Sequence, residues 1–183
     1  RIILGFGLCG GAASGIRAIN VPLTIPRVHD CIPLLVGSSS VYREIAGTAG
    51  TFYLSGGWMK GKNSIRAEYD RILSLYGKQK ADRVMNTMFA RYWRLLYVKT
   101  GHREEQSLIA EAAGMSAILG LSFETLEGRA AYLHSLVNGP WNDEMFITVP
   151  PGGEVREFMF MERNIPRFDS QTNMVNVTQP SLL

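Results

Sequence analysis

The side chains of this chain best suited to chemistry stand close together near its start. Cys9 lies within Gly7-Leu8-Cys9-Gly10-Gly11, and His29 and Cys31 lie within Pro26-Arg27-Val28-His29-Asp30-Cys31. Cys9 and Cys31 are the only two cysteines of the sequence. Two thiolates and an imidazole are the donors that zinc, iron and iron–sulfur clusters take from proteins. Asp30 is placed to orient His29 from behind, as outer-sphere carboxylates do at metal-bound histidines. Three protein ligands leave one coordination position open or filled from elsewhere.

The same residues admit other readings. Buried cysteines also serve as small apolar fillers, and a histidine can be purely structural. Two cysteines brought close by the fold, though not a C-x-x-C pair, make a redox dithiol. Gly5-x-Gly7-x-x-Gly10 matches the dinucleotide fingerprint, in a context of strand before and helix after. No acid follows the next strand to take a ribose hydroxyl, but Arg27 stands where a 2′-phosphate would bind in an NADP-type site. No Ser–His–Asp order or nucleophile elbow stands out, so no reaction is assigned.

These groups meet only if the elements that carry them do. Ile2–Phe6 is a short apolar run without alternation, as expected of a strand buried on both faces. Leu23-Thr24-Ile25 is a second such run, ended by Pro26. Cys9 falls three residues past the first strand, and His29 and Cys31 fall four and six past the second. Neighbouring strands lie roughly 5 Å apart, so their exit loops share one rim of a sheet.

Between these strands Gly10–Ala18 is expected to open a helix. Short helices follow over 30–36 and 38–46, with serines as N-caps. Thr51–Leu54 is a third strand, and its exit loop carries Gly56-Gly57-Trp58. Ser64 caps a helix that ends at Gly77. Ala81, Val84, Met85, Met88, Phe89 and Tyr92 recur at helical spacing as a packing stripe. Leu95–Val98, Ala117–Leu121 and Phe146–Val149 complete six strands, separated by helices over 103–113 and 129–137. The alternation predicts an α/β fold, a three-layer sandwich with a mostly parallel, Rossmann-like sheet. Trp58 and Trp141, on loops, are candidates to wall a pocket at the rim. In an all-parallel sheet Asp143 and Glu144 fall at the far end of the sixth strand, whereas Pro150-Pro151-Gly152 leaves it at the rim. His102 and His134 read as structural or solvent-facing.

With 46% hydrophobic and 19% charged residues, 183 residues suffice for one well-buried domain. The formal charge is only +3 and its cations are interleaved with acids, which argues against nucleic-acid binding. No apolar run approaches the roughly 20 residues of a membrane span, and no signal peptide is apparent. Unexported cysteines point to a reducing, cytoplasmic setting. The domain is expected over 1–162. Residues 163–183, rich in Gln, Asn, Thr, Ser and Pro, form a polar tail or an arm for oligomerisation.

Ile3-Leu4-Gly5-Phe6-Gly7-Leu8-Cys9-Gly10, Pro26-Arg27-Val28-His29-Asp30-Cys31, Gly50-Thr51-Phe52-Tyr53-Leu54 with Gly57-Trp58, and Val149-Pro150-Pro151-Gly152 together resemble a prokaryotic domain-of-unknown-function family, number sixteen thirty-eight. The resemblance covers most of residues 1–153. It implies a cytoplasmic α/β protein of methanogens and anaerobic bacteria, associated with corrinoid-dependent methyl transfer. Corrinoid or methyltransferase proteins are the partners it implies, and a corrinoid joins the candidate cofactors. Family members usually carry an N-terminal strand–helix unit with its own cysteine, so a further segment and a further ligand are expected ahead of Arg1.

The expectation is a metal- or metallocofactor-binding protein of anaerobic one-carbon metabolism, with Cys9, His29 and Cys31 as ligands. Gly5, Gly7, Gly10, Arg27 and Trp58 are the candidate cofactor contacts. A nucleotide-binding enzyme and a non-catalytic partner module are the alternatives.

Overall fold

The computed structural model describes residues 1–46 and 50–161, with Ala46 described by its backbone alone. The tail expected at 163–183 lies outside the described residues. Within them, six strands form two three-stranded sheets.

The first sheet has the order β1-β2-β6, formed by Ile2–Ile3 (β1), Leu23–Pro26 (β2) and Phe146–Val149 (β6). β1 runs parallel to β2, with Ile2 opposite Leu23 and Ile3 opposite Thr24. The two strands are therefore neighbours, as the shared rim requires. β6 runs antiparallel to β2, pairing Pro26 with Phe146 and Leu23 with Val149. The antiparallel β6 departs from the direction expected of it, while three of the four strand pairings, divided over two sheets, are parallel as expected. The antiparallel pairing reverses the ends of β6: Asp143 and Glu144 come to the rim beside Arg27, whose amide donates to the Met145 carbonyl at 2.8 Å. Pro150-Pro151-Gly152 goes to the opposite end, where the Gly152 amide reaches the Ala18 carbonyl.

The second sheet is wholly parallel, with order β3-β4-β5, formed by Thr51–Ser55 (β3), Arg94–Lys99 (β4) and Ser122–Glu127 (β5). Side chains of a strand alternate between faces, so each strand feeds two cores. Leu54, Leu95 and Tyr97 pack against Ile65–Tyr76 (α4), Lys78–Met88 (α5) and Glu105–Leu119 (α6). Val98 packs on the other face against Ile32–Val36 (α1), with Tyr53, Leu126 and the partly buried Tyr42 and Ile45 of Ser39–Ala46 (α2). Helix, sheet and helix make the expected three-layer α/β Rossmann-like arrangement.

Local signals explain most boundaries. The Ser64 side chain accepts the Ala67 amide and Gly77 closes α4, while Ser38 Oγ accepts the Val41 amide ahead of α2. Of the methionine–aromatic stripe on α5, Ala81, Met85 and Phe89 are buried, whereas Met88 and Tyr92 are exposed. Two expected elements differ. Ala117–Leu119 closes α6 and the strand begins only at Ser122. No helix forms over Gly10–Ala18: residues 9–15 are turns, with positive φ at Cys9, Gly10, Gly11 and Gly15.

α1 ties the two sheets together. Ile32 and Val36 face the parallel sheet, and Leu34 packs with Val28, Phe146 and with Tyr132 and Leu136 of Ala131–Asn138 (α7). Because α1 starts one residue after Cys31, that cysteine sits on a support fixed from two sides.

Candidate functional site: a thiol pair at the strand exits

Beyond β1 and β2 the two exit loops continue side by side. The Leu8 amide donates to the Val28 carbonyl at 2.9 Å, and the Cys9 amide donates to the His29 carbonyl at 2.8 Å. Gly7 permits this approach. A Cβ there would stand 2.4 Å from the Val28 oxygen and 2.7 Å from Val28 Cγ2. Gly5 meets nothing within 4 Å, so its lack of a side chain is not required by packing.

The loops bring Cys9 Sγ to 3.2 Å from Cys31 Sγ. Both are free thiols and both are partly exposed. The separation is well beyond the ~2.05 Å of a disulfide bond and shorter than the about 4 Å between thiolates on one tetrahedral metal with bonds near 2.3 Å. Cys9 has φ 47, a left-handed conformation that costs a side-chain-bearing residue of order 1 kcal/mol and that glycine adopts freely. A thiol held where the backbone favours glycine is a pointer to chemistry rather than packing.

Burial pushes the Cys9 thiol up to about 11, reinforced by its contact with Cys31 and by the nearby charge of Asp30, against an opposing hydrogen bond from the Gly7 backbone. The thiol therefore keeps its proton at neutral pH unless a metal displaces it.

Asp30 does not serve His29. Its Oδ1 accepts the Ile32 amide at 2.8 Å, capping the start of α1, and its Oδ2 accepts the Tyr42 hydroxyl at 2.7 Å. Burial first, then the Asp30 carboxylate, hold the Tyr42 hydroxyl well above its ordinary value. Tyr42 leans on Tyr53 with ring centroids 6.1 Å apart. The Tyr53 hydroxyl oxygen is buried and has no hydrogen-bond partner among the described residues. Burial raises its pKa, partly offset by Arg94 and reinforced by Asp30. Asp30 is thus the centre of a polar network behind the thiols, one that sequence reasoning missed. Its only sequence trace is that Tyr42 falls on the face of the 38–46 helix shared with Val41 and Ile45.

The remaining candidates lie as follows. His29 is exposed and lends its carbonyl to the Cys9 loop. Among the described residues no group of three His, Cys, Asp or Glu is arranged to hold a metal ion. The Arg27 guanidinium reaches the main-chain carbonyls of Asp143 at 2.8 Å, of Phe146 at 3.4 Å and of Met159. These contacts bind the loop before β6 and the turn Glu157–Phe160 to the rim. Gly10 begins no helix, so the glycine fingerprint lacks the helix N-terminus on which a dinucleotide pyrophosphate rests. Trp58 stands on the short helix Gly56–Met59 (α3) after β3, half-exposed. Trp141 donates Nε1–H to the Leu136 carbonyl at 2.7 Å and packs in the cluster that includes Cys31, so it both anchors its own loop and lies near the rim. His102 Nδ1 accepts the Glu104 amide at 3.1 Å, a structural role, and His134 is exposed on α7. A shallow groove of about 580 Å³ along α5, lined by Gln79, Asp82, Arg83 and Asn86, contains none of the candidate groups.

The thiol loop, the histidine–cysteine loop and β3 all fall within one conserved-domain match, over residues 1–137, to a protein of unknown function, DUF1638. The chain belongs to the DUF1638 family. The match spans both cysteines, Asp30, Tyr42 and Tyr53, and ends before β6. Comparison with curated proteins and with solved structures gave no match. No helix among the described residues of this DUF1638 chain is long and apolar enough to cross a membrane.

Proposed function

We propose that this DUF1638 chain binds a thiophilic metal centre through Cys9 and Cys31. The observation that carries the reading is the 3.2 Å approach of two free sulfurs at a left-handed residue that packing alone does not favour. Two thiolates are half of a tetrahedral set. Because no third described residue joins them, a centre bound here brings its remaining ligands with it, as a metallocofactor or a metal–substrate complex does. Cys9 and Cys31 supply two of the four thiolates that an iron–sulfur cluster takes. Zinc or iron with outside ligands fits the donor set better. His29, exposed on the same loop, is available to such a complex at its edge. The setting in anaerobic one-carbon metabolism, with a corrinoid or methyltransferase protein as partner, is part of the same proposal and rests on the family resemblance.

Elemental analysis of anaerobically prepared protein tests the reading. Wild type is expected to retain zinc or iron that Cys9→Ser and Cys31→Ser lose. Equal metal content in all three would reject it. Affinity is expected to rise with pH, since binding must expel the proton that Cys9 holds.

A further inference from the structure

We propose that Cys9 and Cys31 form a reversible disulfide within one chain, by exchange with a small disulfide such as oxidised glutathione. The sulfurs need to approach by only about 1 Å to reach bonding distance. The backbones that carry them are already locked side by side by the Leu8–Val28 and Cys9–His29 hydrogen bonds, so side-chain rotation supplies most of the movement. Both thiols are partly exposed, which lets a small disulfide reach them. The residues lie 22 apart in sequence, and β1, β2 and α1 hold the ends of that loop together before any bond forms.

The exchange balances without a further reactant. With the two sulfurs 3.2 Å apart, either thiol can open the exchange and the other then closes it. The first cysteine loses its proton to solvent, displaces one glutathione thiolate from oxidised glutathione and is left as a mixed disulfide. The second cysteine then gives its proton to solvent, attacks the sulfur of the first and expels the second glutathione thiolate. The protein loses two electrons and two protons, and one oxidised glutathione becomes two reduced ones. The disulfide occupies both soft donors. Oxidation would therefore switch off metal capture, a consequence that rests on the function proposed above.

The test uses the full wild-type chain, reduced, stripped of metal with a chelator and freed of reductant anaerobically, then equilibrated with oxidised glutathione. Free thiols are expected to fall from two to none. The intact mass should drop by two hydrogens, with the chain monomeric and no glutathione retained, and dithiothreitol should restore both thiols. Glutathione remaining on either cysteine, disulfide-linked dimers, or two persistent thiols would overturn the proposal. Zinc uptake measured before and after oxidation separates the two readings. Uptake lost on oxidation supports the switch. No uptake in either state rejects the metal reading and leaves the disulfide standing, and equal uptake in both rejects the shared use of the sulfurs.

Discussion

The Tyr42 hydroxyl donates to Asp30 Oδ2 at 2.7 Å, joining the helix behind the site to the residue between His29 and Cys31. The other Asp30 oxygen caps α1, so one carboxylate fixes both the loop and the helix that orient Cys31. Hydrogen bonds to a charged group are worth about 1.5–3 kcal/mol. Tyr42→Phe is expected to cost about 1.5–2 kcal/mol in urea unfolding and to slow closure of the Cys9–Cys31 disulfide. Unchanged stability would mean that Asp30 holds the loop through α1 alone.

Gly7 and Gly5 should respond differently to the same methyl group. At Gly7 the added Cβ collides with the Val28 backbone, which cannot swing aside, and overpacking of this kind costs about 1–3 kcal/mol. At Gly5 there is open space, and the change should stay within about 0.5 kcal/mol. Thermal melts of Gly7→Ala and Gly5→Ala decide this. If both glycines lay against a dinucleotide, both variants would lose ligand binding regardless of fold stability.

Alkaline titration should expose Cys9. Followed by thiolate absorbance, one of the two thiols is expected to ionise near pH 11, and Cys9→Ser should remove that step. The folded state favours the protonated thiol. Its contribution to stability is therefore complete below the ordinary thiol value of 9.0 and is lost as pH rises towards 11. Denaturant midpoints of wild type should fall over that window more steeply than those of Cys9→Ser.

Arg27 is occupied by three main-chain carbonyls. A lysine keeps the charge but lacks the fork that reaches several acceptors. Arg27→Lys is expected to destabilise the protein by about 1.5–3 kcal/mol, and NADP should not raise the melting temperature of wild type. A melting temperature raised by NADP and lost in the variant would restore a phosphate-binding role.

The rim was legible because its determinants are local. Two apolar runs, one followed by a glycine cluster and the other by Pro26-Arg27-Val28-His29-Asp30, place Cys9 and Cys31 at neighbouring strand ends if the strands pair, and they do. The direction of β6 was not legible. Nothing near Phe146–Val149 records whether its partner, more than a hundred residues earlier, runs with it or against it. Ala117–Leu121 read as a strand because α6 ends in an all-apolar stretch, and periodicity does not separate a buried helix end from a buried strand. The helix expected over Gly10–Ala18 failed for a reason present in the residues: three glycines in a run of six favour left-handed turns over helix. Tyr42 escaped notice because its link to Asp30 depends on how α1 and α2 fold back on each other.

The pairing of Leu23 with Val149 also governs the order in which this protein can be finished. As the chain leaves the ribosome, both cysteines emerge ahead of every residue of β3 to β6. A β1–β2 pair alone is marginal in water. The strand that completes its sheet is made only after the whole parallel β3-β4-β5 unit. The thiols are thus made well before the sheet that carries them is complete, and during that interval they stand open to whatever metal or oxidant the surroundings supply.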